Sequence, residues 1–409
     1  MRVFLHDYAG HPIQVGLSRA LCRQGHEVTH AYFSGDQGPK GDFASVSQGG
    51  GPRFLGIESA REYRKDAFVS RRFADIAYGR NLARHIAQSR PDVVLSGNTP
   101  TEAQQPILAA SHAAGAAFVY WLQDFYSIAA SRLLRRKLGA AGALVGSYYR
   151  WLERRQLRAS DGVVLITEDF RELAQSWAGD ARKVATIENW GPLDEISLPG
   201  KDNPWAREHG LAGKFVFLYC GTLALKHDPQ LLIALARQWR DDADVAVVAV
   251  AQGVGADRLC DAKRAENLSN LILLPLQAIG RLSEVLASAD VLVAVVERDA
   301  GTFSVPSKVQ TYLCAQRAIL LSAPPENLAS RTVDRTGAGF VTPPGDYVAF
   351  TQAAARLRRD PALRASLAQA GRTYAESTYD IERIAERFEA VLSQAVERFA
   401  YGARAEAPR

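Results

Sequence analysis

Three stretches of this 409-residue chain bring together residue types that could do chemistry. The first is Ser304-Val305-Pro306-Ser307-Lys308, which follows an apolar run and opens a helical pattern. Ser304 can cap free backbone N–H groups, and Pro306 is tolerated in a first helical turn. Those N–H groups and the helix dipole attract an anion. Ser307 adds a donor and Lys308 a full charge, so the set suits a phosphate or diphosphate. The second stretch is "FVFLYCGTLALKHDPQLLIALA" (215–236), where a strand runs into a Gly-Thr turn and a polar loop. Gly221 would let a ligand approach the backbone closely, and Lys226 would be a second phosphate contact. The third is "YWLQDFYS" (120–127), with Asp124 at the end of an apolar strand. A carboxylate there can orient or deprotonate a hydroxyl. Asn98 and Thr99, at the end of another strand, offer further polar contacts of the same kind. Each feature also has a plainer use, as a helix cap, a solvated lysine or an ion pair.

Two patterns are set aside. Gly253-x-Gly255 has Arg258 where a dinucleotide fingerprint needs its third glycine, and the next strand ends without a ribose-binding acid. A tight strand-to-helix turn explains it. Asp242-Ala-Asp244 has the spacing of a metal-binding DxD, but it precedes a strand and reads as a turn. Cys22, Cys220, Cys260 and Cys314 are scattered with no CxxC pair, which argues against a disulfide framework or a zinc site and for a reducing cytoplasm.

The elements that must position these residues are legible as apolar runs of strand length alternating with helical patterns. In the first half the runs are 2–6, 27–33, 92–97, 117–124, 162–167 and 183–189. In the second they are 215–221, 245–253, 271–277, 290–296, 318–323 and 338–344. Near-continuous apolar strands with helical crossovers indicate parallel sheets covered on both faces. The pattern occurs twice, which predicts an α/β protein of two doubly wound, Rossmann-like domains. The turn-rich stretch 191–205 marks their boundary. Residues 34–53 form a long Gly/Pro/Ser loop, and the chain after Asp346 reads as helix to about Ala400, with a break near 373–380.

An apolar content of 47% with 23% charged residues is that of a soluble globular protein. No signal peptide or membrane span is legible. The net charge of +5 is uneven. Residues 1–190 hold 24 Lys+Arg against 18 Asp+Glu, and the remainder 25 against 26. Much of the excess lies in 131–158: Arg132, Arg135, Arg136, Lys137, Arg150, Arg154, Arg155 and Arg158, with Glu153 the lone acid and Tyr148, Tyr149 and Trp151 interleaved. Such a basic, aromatic helical segment suits an anionic membrane surface. No nucleic-acid-binding module is present. An ordinary solvated helix face is the plainer reading.

Taken together, these residues resemble the retaining GT-B glycosyltransferases of the glycosyltransferase 4 family, in particular members that build bacterial surface polysaccharides. "FVFLYCGTLALKHDPQLL" resembles the family's opening of the donor domain. "NLILLPLQAIGRLSEVLASADVLVAVV" resembles its stretch ending in Ala-Asp-Val. "SVPSKVQTYLCAQRAIL" with "TGAGFVTPPGD" resembles the segment that binds the donor diphosphate. "LSRALCRQGHEVTHAYF", "SDGVVLITEDF" and "VATIENWGPLDE" resemble parts of the acceptor domain.

The resemblance implies a GT-B fold, two Rossmann-like domains facing across a cleft. Residues 1–195 would bind the acceptor, joined by C-terminal helices at about 375–400, and residues 205–372 would bind the nucleotide sugar. It implies glycosyl transfer with retention from a UDP- or GDP-linked sugar to a lipid-linked or saccharide acceptor, without a cofactor or metal. The place would be the cytoplasm or the inner face of the membrane. The implied donor-binding residues are Gly221, Thr222, Lys226, Gln277, Glu297, Ser304, Val305, Pro306, Ser307, Lys308 and Thr311. The family's loop after the first strand makes His11, Gln14 and Gly16 acceptor-side candidates beside Asn98 and Thr99. Asp124, His11 and Lys226 form the expected catalytic set. The sequence departs from the pattern where the family often has two glutamates, here Phe303 and Thr311, and at its usual arginine, here Thr222. Glu297 could partly substitute for the glutamates. The family's lysine falls on Lys226 or His227. A sugar-nucleotide 2-epimerase of the same fold and a non-catalytic scaffold are the alternatives.

Overall fold

The computed structural model describes residues 1–35, 41, 43, 50–58, 68–223, 227–296 and 307–406, of which 68–71 and 403–406 in backbone only. The chain divides into two compact units. Unit 1 comprises Met1–Glu188 with Ile381–Arg409, and unit 2 comprises Asn189–Asp380.

Unit 1 runs β1 (Arg2–Asp7), α1 (Pro12–Arg23), β2 (Glu27–Phe33), β3 (Arg53–Ile57), α2 (Phe68–Ser89), β4 (Val93–Gly97), α3 (Thr101–Ala113), β5 (Ala117–Leu122), α4 (Tyr126–Ala159), β6 (Gly162–Leu165), α5 (Arg171–Ala178) and β7 (Val184–Thr186). Its parallel sheet has the order β3-β2-β1-β4-β5-β6-β7. Unit 2 continues with α6 (Pro204–Glu208), β8 (Phe215–Thr222), α7 (Gln230–Gln238), β9 (Val245–Gln252), α8 (Val254–Glu266), β10 (Leu271–Leu274), α9 (Leu282–Ala287), β11 (Val291–Val295), α10 (Ser307–Cys314), β12 (Ala318–Ser322), α11 (Leu328–Thr336), β13 (Gly339–Thr342), α12 (Tyr347–Arg359) and α13 (Pro361–Thr378). Its parallel sheet has the order β10-β9-β8-β11-β12-β13. The last helix, α14 (Ile381–Glu406), returns to unit 1.

Each of the twelve apolar runs contains a strand, and the α/β, doubly wound class is the one observed. β4, β5, β11 and β12 are buried along their whole length. That burial follows from helices covering both faces, and it is why these strands read as unbroken apolar runs. β3 is an addition. Its five residues pair in parallel with β2, Thr29 opposite Arg53 through Phe33 opposite Ile57. It escapes sequence reading because it is a short edge strand, interrupted by Gly56 and preceded by glycines. The turn-rich stretch 191–205 is packed into unit 2, where Asn203 caps α6 and Trp205 is fully buried. The helical stretch after Asp346 breaks twice, at Asp360 and at residues 379–380, with Asp346 and Asp360 capping α12 and α13. Among the described residues, no helix is long and apolar enough to cross a membrane.

Candidate functional site

In a doubly wound sheet, ligands bind beyond the carboxyl ends of the strands where the winding direction reverses. The reversal falls between β8 and β11 in unit 2, and between β1 and β4 in unit 1. Among the described residues, Gly221, Thr222 and Lys308 lie at the first of these points, and His11, Gln14, Asn98 and Thr99 at the second.

In unit 2, Gly221 is the penultimate residue of β8 and has φ +127°, a left-handed conformation that suits glycine. A Cβ on Gly221 would lie 2.7 Å from Cε and 3.3 Å from Nζ of Lys308. Lys308 is the second residue of α10, the helix that follows β11. Its ammonium lies 5.3 Å from the centre of the Tyr219 ring and donates to the Thr222 carbonyl at 3.4 Å. The Tyr219 hydroxyl donates to the same carbonyl at 2.8 Å. Tyr312, one turn further along α10, accepts from the Cys220 N–H at 3.0 Å and donates to the Cys220 carbonyl at 3.4 Å. This tyrosine staples α10 to the end of β8 and so holds Lys308 over the Gly221-Thr222 turn. Gly191 lets the chain pass close to α10, since a Cβ there would meet the Gln310 carbonyl oxygen at 2.4 Å. Burial pushes the Cys220 thiol up to about 11, with Lys308 pulling the other way, so the sulfur is a neutral neighbour and no thiolate.

Ser307 opens α10 and is exposed. The Thr311 hydroxyl, one turn on, donates to the Ser307 carbonyl at 3.4 Å. Gln277 follows β10, at the sheet edge and two strands from β8. Its amide oxygen accepts from Trp205 Nε1 at 3.2 Å and its amide nitrogen donates to the Pro275 carbonyl at 2.8 Å. The structure does not bring Gln277 to the β8/β11 junction at the sheet level. Lys226, Glu297, Phe303, Ser304, Val305 and Pro306 lie outside the described residues. Gly253 turns tightly into α8 with φ +103°, and Gly255 packs against Leu223, where a Cβ would approach to 2.5 Å. The Asp242-Ala-Asp244 segment is a turn before β9, and Asp242 pairs with Arg358 at 2.6 Å. Among the described residues, no three His, Cys, Asp or Glu side chains are grouped to hold a metal ion.

In unit 1 the organising residue is Asp7, which the sequence reading passed over. It ends β1 fully buried and accepts from the backbone N–H groups of Ala9, at 3.2 Å, and His11. It also accepts from Asn98 Nδ2 at 3.3 Å, which joins the ends of β1 and β4. Burial raises its pKa, while the nearby His11 and the donors pull it back. Asp7 thereby fixes both His11, the half-buried N-cap of α1, and Asn98, whose φ is +52°. Gln14 is buried beneath Gly97, where a Cβ would come within 3.2 Å of its amide nitrogen. Gly16 has open space on its side-chain side. The Thr99 hydroxyl is drawn inward, donating to the Gly97 carbonyl at 2.9 Å and lying 3.0 Å from Ser96 Oγ and 3.1 Å from His6 Nδ1. Burial holds His6 down at about 3, so it is neutral and bonded to Tyr78 at 2.9 Å.

Asp124 lies exposed two residues beyond β5, beside β4. Near it lies Glu153, noted in the sequence only as the lone acid of a basic segment. This carboxylate is fully buried and accepts from the Ser127 hydroxyl at 2.6 Å and the Ser127 N–H at 3.3 Å. Burial raises it to about 7, the Ser127 bonds oppose that, and the charge of Asp124 adds to it. The available signals were an acid directly after an apolar strand, for Asp7, and the lone acid in a basic segment, for Glu153.

The comparisons with known proteins bear on the family and the fold. Residues 13–190, most of unit 1, match the glycosyl transferase 4-like domain. Over 275 residues the chain is 27% identical to a Pseudomonas aeruginosa protein described as the probable glycosyltransferase WbjE. That alignment covers 64% of this chain and 65% of the relative, just under two thirds of its length. Among solved structures, Anabaena HepE in complex with UDP-glucose superposes with a TM-score of 0.69 at 14% identity, covering 96% of this chain and 99% of HepE. WaaG, a glycosyltransferase involved in lipopolysaccharide biosynthesis, gives 0.68 at 15% identity over 95% and 99%. Sucrose-phosphate synthase of Thermosynechococcus elongatus gives 0.72 at 14% over 96% and 98%. Residues 13–190 thus carry the features of a glycosyl transferase 4-like domain, and the chain has the fold of the GT-B glycosyltransferases.

Proposed function

We propose that this chain is a retaining, hexosyl-type glycosyltransferase. It takes a sugar from a UDP- or GDP-linked donor to a lipid-linked or saccharide acceptor in surface polysaccharide biosynthesis, at the cytoplasmic face of a membrane. The observation that carries this reading is Lys308, whose ammonium is held over the Gly221-Thr222 turn at the β8/β11 switch point. When the bond from the sugar's anomeric carbon to the diphosphate breaks, negative charge grows on the leaving oxygen. A fixed ammonium and the N–H groups opening α10 stabilise that charge without reorganising at the moment of reaction. The sequence adds Lys226 as a second cation for this set, and Ser307, which opens α10, offers a hydroxyl donor. On the acceptor side, Asp124 orients or deprotonates the attacking hydroxyl, and His11, anchored by Asp7, positions the reacting groups with Gln14, Asn98 and Thr99. The reaction needs no cofactor beyond the nucleotide sugar. The WbjE, HepE and WaaG likenesses support this choice of substrate class and process.

The test is a thermal-shift panel of nucleoside diphosphates on the full chain. UDP or GDP raises the melting temperature, and Lys308→Ala removes the shift, because a charge-assisted contact is worth about 1.5–3 kcal/mol, roughly a ten- to hundredfold loss of affinity. A shift unchanged in Lys308→Ala, or no response to any nucleotide, defeats the assignment. Product analysis with the best nucleotide's sugar separates transfer from interconversion of nucleotide sugars.

A further inference from the structure

α4 is not one rod. Gly139, with φ +55° and ψ −127°, breaks it into two arms. Three contacts show that the arms fold back on each other. The Ser127 hydroxyl reaches Glu153 at 2.6 Å. Ser131 Oγ donates to the Gly146 carbonyl at 2.9 Å. A Cβ on Gly142 would lie 2.0 Å from the Leu134 carbonyl oxygen. The paired positions converge on residues 138–140, the tip of a helical hairpin. Small residues at 142 and 146 are what allow the arms to close.

The tip and outer faces are apolar where solvent should disfavour it. Leu138 is 58% exposed, Leu144 76%, Leu133 54% and Trp151 55%. Arg135, Arg136 and Lys137 stand exposed among them. The lone acid of 131–158, Glu153, is turned inside with no exposure, so every charge this segment presents is positive. Among the described residues, Arg135, Arg136, Lys137, Arg150 and Arg154 form no ion pair with a carboxylate. On the returning arm Arg155 stacks over Trp151 at 5.6 Å, and Arg72 of α2 stacks over Tyr148 at 5.3 Å. A polyanion such as RNA would be met by the cations alone. The exposed leucines fit a leaflet, whose phosphates meet the cations while its acyl boundary takes up the apolar tip.

We propose that the α4 hairpin docks unit 1 on an anionic phospholipid surface. Leu138 and Leu144 enter the boundary between headgroups and acyl chains, and Arg135, Arg136 and Lys137 meet lipid phosphates. This deepens the proposed function and rests on it only for its purpose, since a docked hairpin brings a lipid-linked acceptor to unit 1. The first arm begins two residues after Asp124, and Glu153 ties the returning arm to that same turn through Ser127. The hairpin base and the Asp124 strand end are therefore one braced piece.

The test is sedimentation of the full chain with vesicles of phosphatidylcholine alone, or of phosphatidylcholine and phosphatidylglycerol in equal parts. The chain co-sediments with the mixed vesicles only, and more weakly as salt rises. A Leu138→Asp/Leu144→Asp variant loses binding, and Arg135→Glu/Arg136→Glu weakens it by about tenfold or more, on the scale of roughly fivefold per basic residue. Both variants keep the parent's melting temperature and its nucleotide-induced shift, because the altered side chains are exposed and lie in unit 1. Failure of the parent to bind mixed vesicles overturns the proposal, as does binding by the leucine variant that equals the parent's. Tighter binding to an RNA oligonucleotide than to the mixed vesicles, insensitive to the leucines, also overturns it. The nucleotide shift is read independently, so a failed hairpin and a failed glycosyltransferase assignment are told apart.

Discussion

Gly221 carries two demands at one atom. Its φ of +127° suits glycine, and the space where a side chain would stand is filled by Lys308. Gly221→Ala therefore strains the backbone by about 1–3 kcal/mol and pushes the ammonium off the turn. We expect a stability loss of that size in chemical denaturation, accompanied by a nucleotide affinity reduced by roughly tenfold or more, the scale of one charge-assisted contact. Loss of stability with full affinity would show that the ammonium does not have to sit there. Lys308 and Gly221 were legible in the sequence because a glycine at a strand's end and a lysine at a helix's start carry local meaning. Asp7 was not, because its role depends on Asn98, 91 positions away.

At the scale of the element, the α4 hairpin is tied at its base by a buried carboxylate. Glu153 has a pKa of about 7 in the folded chain against an ordinary value of 4.5. Between those values the folded state keeps a proton that the unfolded state has lost. The resulting stabilisation is full below about pH 4.5 and disappears as pH rises through about 7. Glu153→Gln cannot titrate and still offers Ser127 an acceptor. The stability difference between variant and parent, measured by chemical denaturation, should move in the variant's favour from about pH 5 to about pH 8, by on the order of 3 kcal/mol at most. Subtracting the parent cancels the buried histidines. A difference that stays flat with pH would mean that Glu153 is ionised throughout. The basic, aromatic character of this segment was plain in the sequence. The fold-back at Gly139 and the inward turn of its one acid were not, because helical periodicity is continuous across the break.

At the scale of the whole molecule, the chain's last helix completes its first unit. Phe388 of α14 is fully buried with its ring 4.8 Å from that of Trp121 on β5. Arg23 pairs with Glu382 at 2.6 Å, and Arg387 donates to the Thr186 carbonyl at 2.8 Å. Phe388→Ala should cost unit 1 about 3–5 kcal/mol, read as faster hydrogen exchange in β5. The nucleotide-induced shift of unit 2 should persist. Unchanged exchange in β5 would show that α14 is not needed to cover that sheet. The return of the C-terminal helices to the first domain was expected from family resemblance. Amphipathic periodicity alone says that α14 has a face to bury and not where.

By itself the sequence determined what depends on neighbours along the chain. Unbroken apolar runs required doubly covered parallel strands, intervening helical patterns required crossovers, and glycines at strand ends marked the turns at the candidate site. Only the tertiary structure decided which strands lie side by side. In a parallel sheet each neighbour is reached through a crossover, so the register of β1 on β4 or of β8 on β11 is written nowhere locally. That same non-local choice assembled the candidate site. Strand order put Asn98 within reach of Asp7 and Lys308 over Gly221, and burial, a property of the packed molecule, turned Glu153 from one more surface charge into a buried brace.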